Sequence, residues 1–134
     1  MSRKFGRRTH DRISIPGATV CWRDMNQTSF PDETLPLSDI SKFGVAFLTN
    51  TPPVVDSEIS LRINFPRTPE IMELLGRVVY YVFRGPGLTY EYRVGVELKP
   101  FSTAEGDNSL QSQQIIEELE QIYGKKLEAQ DIED

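Results

Sequence analysis

The sequence holds one cysteine, Cys21, and one histidine, His10, and each shortage excludes some chemistry. A single thiol closes no intrachain disulfide, and its solitude favours a reducing, cytoplasmic setting. One thiol and one imidazole make no zinc site without carboxylates at ligand spacing, and no such spacing occurs. Neither a metal nor a cofactor is expected. Long apolar runs are missing too: nothing approaches the roughly 18 residues that cross a bilayer, so membrane insertion is not expected. The basic opening MSRKFGRRTHDR leads into no apolar stretch of the kind a secretory signal carries. There is no Walker loop, no Gly-x-Ser-x-Gly, and no nucleophile with a His base beyond the lone His10. The reading is not an enzyme.

What the chain does have is segregated charge. The net charge of −5 over 134 residues hides a basic start and an acidic end. Residues 1–23 carry Arg3, Lys4, Arg7, Arg8, Arg12 and Arg23 against Asp11 alone. Residues 105–134 carry nine acids against Lys125 and Lys126. A basic arm and an acidic tail bracket a near-neutral body, and such asymmetry points to an anionic partner for the arm. Hydrophobic content of 38% and charged content of 26% suit one globular domain with an appendage.

The body reads as all-β. Residues 58–65, EISLRINF, place Ile59, Leu61, Ile63 and Phe65 on one face and Glu58, Ser60, Arg62 and Asn64 on the other, which is strand periodicity. Residues 76–83 are rich in β-branched and aromatic side chains, and 92–98 alternate through Val94, Val96 and Leu98. Turn chemistry at Arg84-Gly85-Pro86-Gly87 joins them into an antiparallel hairpin over 77–98. Shorter strands are expected at 18–23 and 44–49, while 24–38, polar and carrying Pro31 and Pro36, reads as a loop. Short strands with turns between them and no central helix suggest a small antiparallel barrel. After Pro100 the polar stretch 102–109 reads as a linker. Ser109 is the N-cap of an amphipathic helix over 110–123, closed by Gly124 at C′. The division is therefore a flexible basic arm over 1–12, a barrel over 13–101, and linker, helix and acidic tail over 102–134.

Two short elements carry chemistry. One is Arg7-Arg8-Thr9-His10-Asp11-Arg12, with R-x-x-x-R spacing between Arg8 and Arg12. The other is Asp39-Ile40-Ser41-Lys42-Phe43-Gly44, a D-x-S-x-x-G run before the strand GVAF. Arginine offers a planar fork that engages phosphate oxygens bidentately, matches the O6 and N7 edge of guanine, and stacks on nucleobases. A carboxylate such as Asp39 accepts from guanine N1 and N2, Ser41 can bond a base or phosphate, and Gly44 permits close backbone approach. Together these describe a site for a guanine nucleotide with more than one phosphate, without singling out a cyclic one.

In this order, with EISLRINFP, GRVVYYV and YRVGVELKPFS behind them, the motifs resemble the PilZ family of cyclic di-GMP receptors across residues 7–102. The resemblance implies a six-stranded antiparallel β-barrel with an arginine-rich N-terminal arm and a C-terminal α-helix. It implies that Arg8 and Arg12 grip phosphates and guanine faces, and that Asp39, Ser41 and Gly44 line the base pocket. In similar domains an arginine just before the first motif goes with a stacked pair of ligands, and Arg7 holds that position. Lys42-Phe43 departs from the pattern, being bulkier than the small or acidic residues usual there.

The expected function is a cytoplasmic receptor whose arm orders over cyclic di-GMP and signals to a protein partner, acting as a monomer or weak homodimer. The alternative is an adaptor of the same fold that no longer binds nucleotide and acts through protein contacts. A barrel binding nucleic-acid polymer is disfavoured by the acidic body and tail. Cys21, Trp22, Tyr80 and Tyr81 are assigned to barrel packing, His10 to an exposed loop, and the helix first to its own barrel and second to self-association.

Overall fold

A computed structural model describes residues 12–67 and 71–124. Six strands form a closed antiparallel barrel: β1 (Thr19–Asp24), β2 (Leu35–Ile40), β3 (Gly44–Thr49), β4 (Glu58–Asn64), β5 (Ile71–Phe83) and β6 (Tyr92–Leu98), ordered β1-β2-β3-β6-β5-β4. Closure gives every strand a neighbour on both sides, with the β1–β2 seam the shortest. The alternation in β4 works as the sequence predicts. Ile59, Leu61 and Ile63 are fully buried and pair with Gly76, Leu74 and Met72 of β5, while Arg62 and Glu73 face outward as an ion pair. Val20, Phe47, Leu74, Val78 and Val94 complete a core that fills the barrel.

β2 corrects the expected loop over 24–38. Its first half escapes the strand pattern because Pro36 lies in it and because the β1–β2 seam is only two pairs long, Thr19↔Pro36 and Val20↔Leu35. A proline is tolerated where so little ladder depends on it. The rest of that segment does lie outside the strands, and Phe30 caps it. Arg62 sits over the Phe30 ring at 4.2 Å and Arg23 at 5.1 Å, and Cys21 and Ser60, both on outward-facing positions, are buried nearby.

The C-terminal segment departs from expectation in two places. The polar stretch 102–109 is no free linker. Asn108, buried, donates to the Leu75 and Lys99 carbonyls and accepts from the Leu75 N–H at 2.7 Å, stitching it to the barrel. Helix α1 (Leu110–Leu119) starts at the Ser109 cap as read, but it runs into a π-helical turn, Glu120–Gly124. The wider turn adds a residue to the local period, so Tyr123 packs on the core and Ile122 turns to solvent. Gly124 is not a left-handed cap. It is buried in that turn, where an added Cβ would lie 3.9 Å from Ile13. No helix among the described residues is long and apolar enough to cross a membrane.

Candidate functional site

The outer face of the β2-β3-β6-β5 sheet gathers polar groups because two irregularities re-aim it. In strict alternation, Asp39 follows Leu37 in phase and would point into the core. The register shifts between Leu37 and Asp39, so that Leu37 pairs inward with Phe47, Asp39 outward with Ala46, and Ile40 inward again with Val45. On β5 the register shifts between Val78 and Tyr80, turning Tyr80 outward opposite Gly95. Bulges act this way beside functional sites, redirecting one side chain without breaking the sheet. The result is a single cross-strand row, Asp39–Ala46–Gly95–Tyr80, with the next row running Leu48–Arg93–Val82. Small residues occupy the middle of the first row, which makes the face shallow. An added Cβ at Gly95 would overlap the Tyr80 ring, which lies directly on that glycine.

Arg12 reaches this face because the chain behind it is pinned. Ile13 forms an isolated antiparallel bridge with Ile40, each N–H donating to the other's carbonyl at 3.0 Å, and both side chains are fully buried. Ser14 Oγ donates to the Ser38 carbonyl at 3.2 Å. Arg12 Nη1 then stands 3.7 Å from Asp39 Oδ1, and an added Cβ at Gly44 would lie 4.0 Å from Arg12 Nη2. Gly44 is also tight against backbone, since its Cβ would lie 3.0 Å from the Val96 carbonyl oxygen.

Arg93, which no motif marked, is tied into the face by two side-chain hydrogen bonds. Its Nη2 donates to Asp39 Oδ2 at 2.8 Å and its Nη1 to Ser38 Oγ. Burial alone lowers the pKa of this guanidinium, but hydrogen bonds to Asp39 and to the Tyr80 hydroxyl outweigh it and raise the pKa above its ordinary value. Asp39 Oδ1, by contrast, is buried and has no hydrogen-bond donor among the described residues. Arg12 beside it is too distant for a hydrogen bond and contributes charge only.

Of the residues singled out in the sequence, Arg12, Asp39 and Gly44 come together here, while Arg7 and Arg8 lie outside the described residues. Ser41 sits apart from the open face. It is buried, its backbone N–H donates to the Gly44 carbonyl at 2.8 Å, and its Oγ accepts from the N–H groups of Phe43 and Gly44 at 3.1 and 3.3 Å. It thus closes the β2–β3 turn. Lys42, on that turn, pairs with Glu117 of α1 at 3.3 Å, which ties the motif loop to the helix. Tyr80, read as packing, does pack on Gly95 but also borders the site. Arg93 and Tyr80 escaped sequence reading for one reason: both belong to the face only through a bulge and a long-range pairing. The one local sign is the broken alternation of Val78-Val79-Tyr80-Tyr81-Val82.

No family model matches the chain, and no curated protein matches it in sequence. Solved structures do match. The PilZ domain with c-di-GMP of YcgR from Escherichia coli superposes with a TM-score of 0.65 at 13% identity, covering 96% of this chain and 100% of that one. The K. pneumonia MrkH–c-di-GMP complex gives 0.61 at 18% identity over 94% of this chain. The Bacillus subtilis inhibitor of motility, MotI/DgrA, gives 0.59 at 15% over 84%. The chain spans 55% of the MrkH chain and 48% of the MotI/DgrA chain. The fold is PilZ-like.

Proposed function

We propose that this chain is a receptor for cyclic di-GMP, without enzymatic activity, in which the basic arm closes over nucleotide held on the outer face of the β2-β3-β6-β5 sheet. The observation that carries this reading is the Arg12–Asp39–Arg93 cluster on a face of small residues, in which the buried Asp39 Oδ1 has no donor among the described residues. Such a cluster offers forks for phosphate and an acceptor for guanine N–H groups at once. The two cyclic di-GMP complexes among the similar solved structures support the choice of ligand. Arg7 and Arg8 supply the remaining guanidinia from the arm, whose loss of freedom is offset by the bonds it forms. Closure then presents a new surface to a protein partner.

Titration calorimetry with cyclic di-GMP, GTP, GMP and single-stranded DNA tests this. Cyclic di-GMP alone is expected to bind well, at two nucleotides per chain, reverting toward one in Arg7→Leu. Each of Arg8→Ala and Arg12→Ala removes charge-assisted bonds, so losses of about tenfold to hundredfold are expected. Undiminished binding in the double alanine variant rules out the clamp, and no binding by the unmodified chain favours the adaptor.

A further inference from the structure

Two guanidinia approach one carboxylate on this face, and they do so unequally. Arg93 is hydrogen-bonded to Asp39 Oδ2 at 2.8 Å, whereas Arg12 stops 3.7 Å short on Oδ1. A bidentate arginine–carboxylate pair is the strongest arrangement open to either arginine, and it would consume both oxygens. Were Arg12 to form it, the site would neutralise itself. The carboxylate would have no oxygen for a base, and the fork would be unavailable to a phosphate.

Arg93 is built to prevent that. Its stem rises from β6 in the row next to Asp39, and its two terminal nitrogens hold Ser38 Oγ and Asp39 Oδ2, the two side chains set by the β2 bulge. With Oδ2 held by Arg93, Oδ1 is left towards Arg12, buried and without a donor among the described residues. A fork held by both Ser38 Oγ and Asp39 Oδ2 restrains where Oδ2 sits, and a point charge does so less.

We propose that Arg93 is the positioning residue of this site. It keeps Asp39 off Arg12, so that Oδ1 is free to accept an N–H of guanine while Arg12 is free to grip phosphate. The inference rests on the cyclic di-GMP reading and adds to it the basis of base selectivity. Guanine presents two adjacent N–H donors on its pairing edge, and adenine presents one beside an acceptor, so a fixed carboxylate discriminates between them and a mobile one does less.

The test is a cycle of variants titrated with cyclic di-GMP and with cyclic di-AMP, which has the same phosphates and different bases. Arg93→Met keeps the apolar stem and removes the donors, and Arg93→Lys keeps the charge without the fork. Arg93→Met is expected to weaken cyclic di-GMP by about tenfold or more and to erase most of the preference over cyclic di-AMP. Arg93→Lys is expected to recover affinity more than preference. In an Asp39→Ala background, Arg93→Met is expected to change nothing further, because its effect passes through Asp39. Unchanged preference in Arg93→Met overturns the inference alone, as does a full loss that persists in the Asp39→Ala background. Should Arg93→Met fail to fold, Arg93→Lys decides, and preference equal to that of the unmodified chain overturns the inference. If the unmodified chain takes neither nucleotide, the proposed function fails and this inference falls with it.

Discussion

Gly95 shows how a residue without a side chain shapes the face. The Tyr80 ring lies so close that any Cβ there would overlap it. Gly95→Ala must push the Tyr80 ring away from the face. The expected cost is about 1–3 kcal/mol in urea unfolding, as for other overpacked positions, together with a changed tyrosine signal in the near-ultraviolet. An unchanged signal would mean that the ring does not depend on that contact. Cys21 is buried on the opposite flank, and burial pushes its thiol above the ordinary value of 9.0, with Arg62 pulling the other way and Asp32 and Glu33 adding to the rise. A thiol so placed is a poor nucleophile. It is expected to resist aromatic disulfide reagents at pH 8 until the chain unfolds. Its linkage to stability follows from the same shift. The unfolded thiol loses its proton first, so this contribution is whole below pH 9.0 and declines as pH rises through the higher folded value. Prompt labelling of the native chain would contradict the burial.

Among the elements, legibility followed regularity. β4 and β6 were readable from their alternating apolar residues and β3 from its short apolar run, and the bounds of β3 and β6 agree with the sequence reading. β2 was not, because Pro36 and a bulge interrupt six residues, and the start of β5 at Ile71 was missed as well. The motif residues Arg12, Asp39 and Gly44 were found by spacing. Arg93 joins them across 54 positions of sequence, which no local pattern records. Ser41 was legible as part of a motif, and the structure adds that its hydroxyl closes the β2–β3 turn. Ser41→Ala leaves two backbone N–H groups without their acceptor, one of them on buried Gly44. It is expected to lower stability by about 1–3 kcal/mol in urea unfolding. Full stability with lost nucleotide binding would instead make Ser41 a direct contact.

At the scale of the whole molecule, the root of the arm, the motif turn and the helix meet at one end of the barrel. Ile13 bridges Ile40, an added Cβ at Gly124 would touch Ile13, and Lys42 of the turn pairs with Glu117 of the helix. The ion pair is partly exposed and contributes little stability by itself, so its value here is as a point of contact between the elements. The central claim is that the nucleotide lies on the face set by the two bulges, beneath the arm. Chemical-shift mapping of the isotope-labelled chain during titration with cyclic di-GMP tests this most directly. The largest changes are expected at the amides of Asp39, Ala46, Tyr80 and Gly95, at the Arg12 and Arg93 side chains, and through residues 1–12, with the Phe30 flank unmoved. Changes centred on Phe30, Arg23 and Arg62, with the bulged face silent, would contradict it.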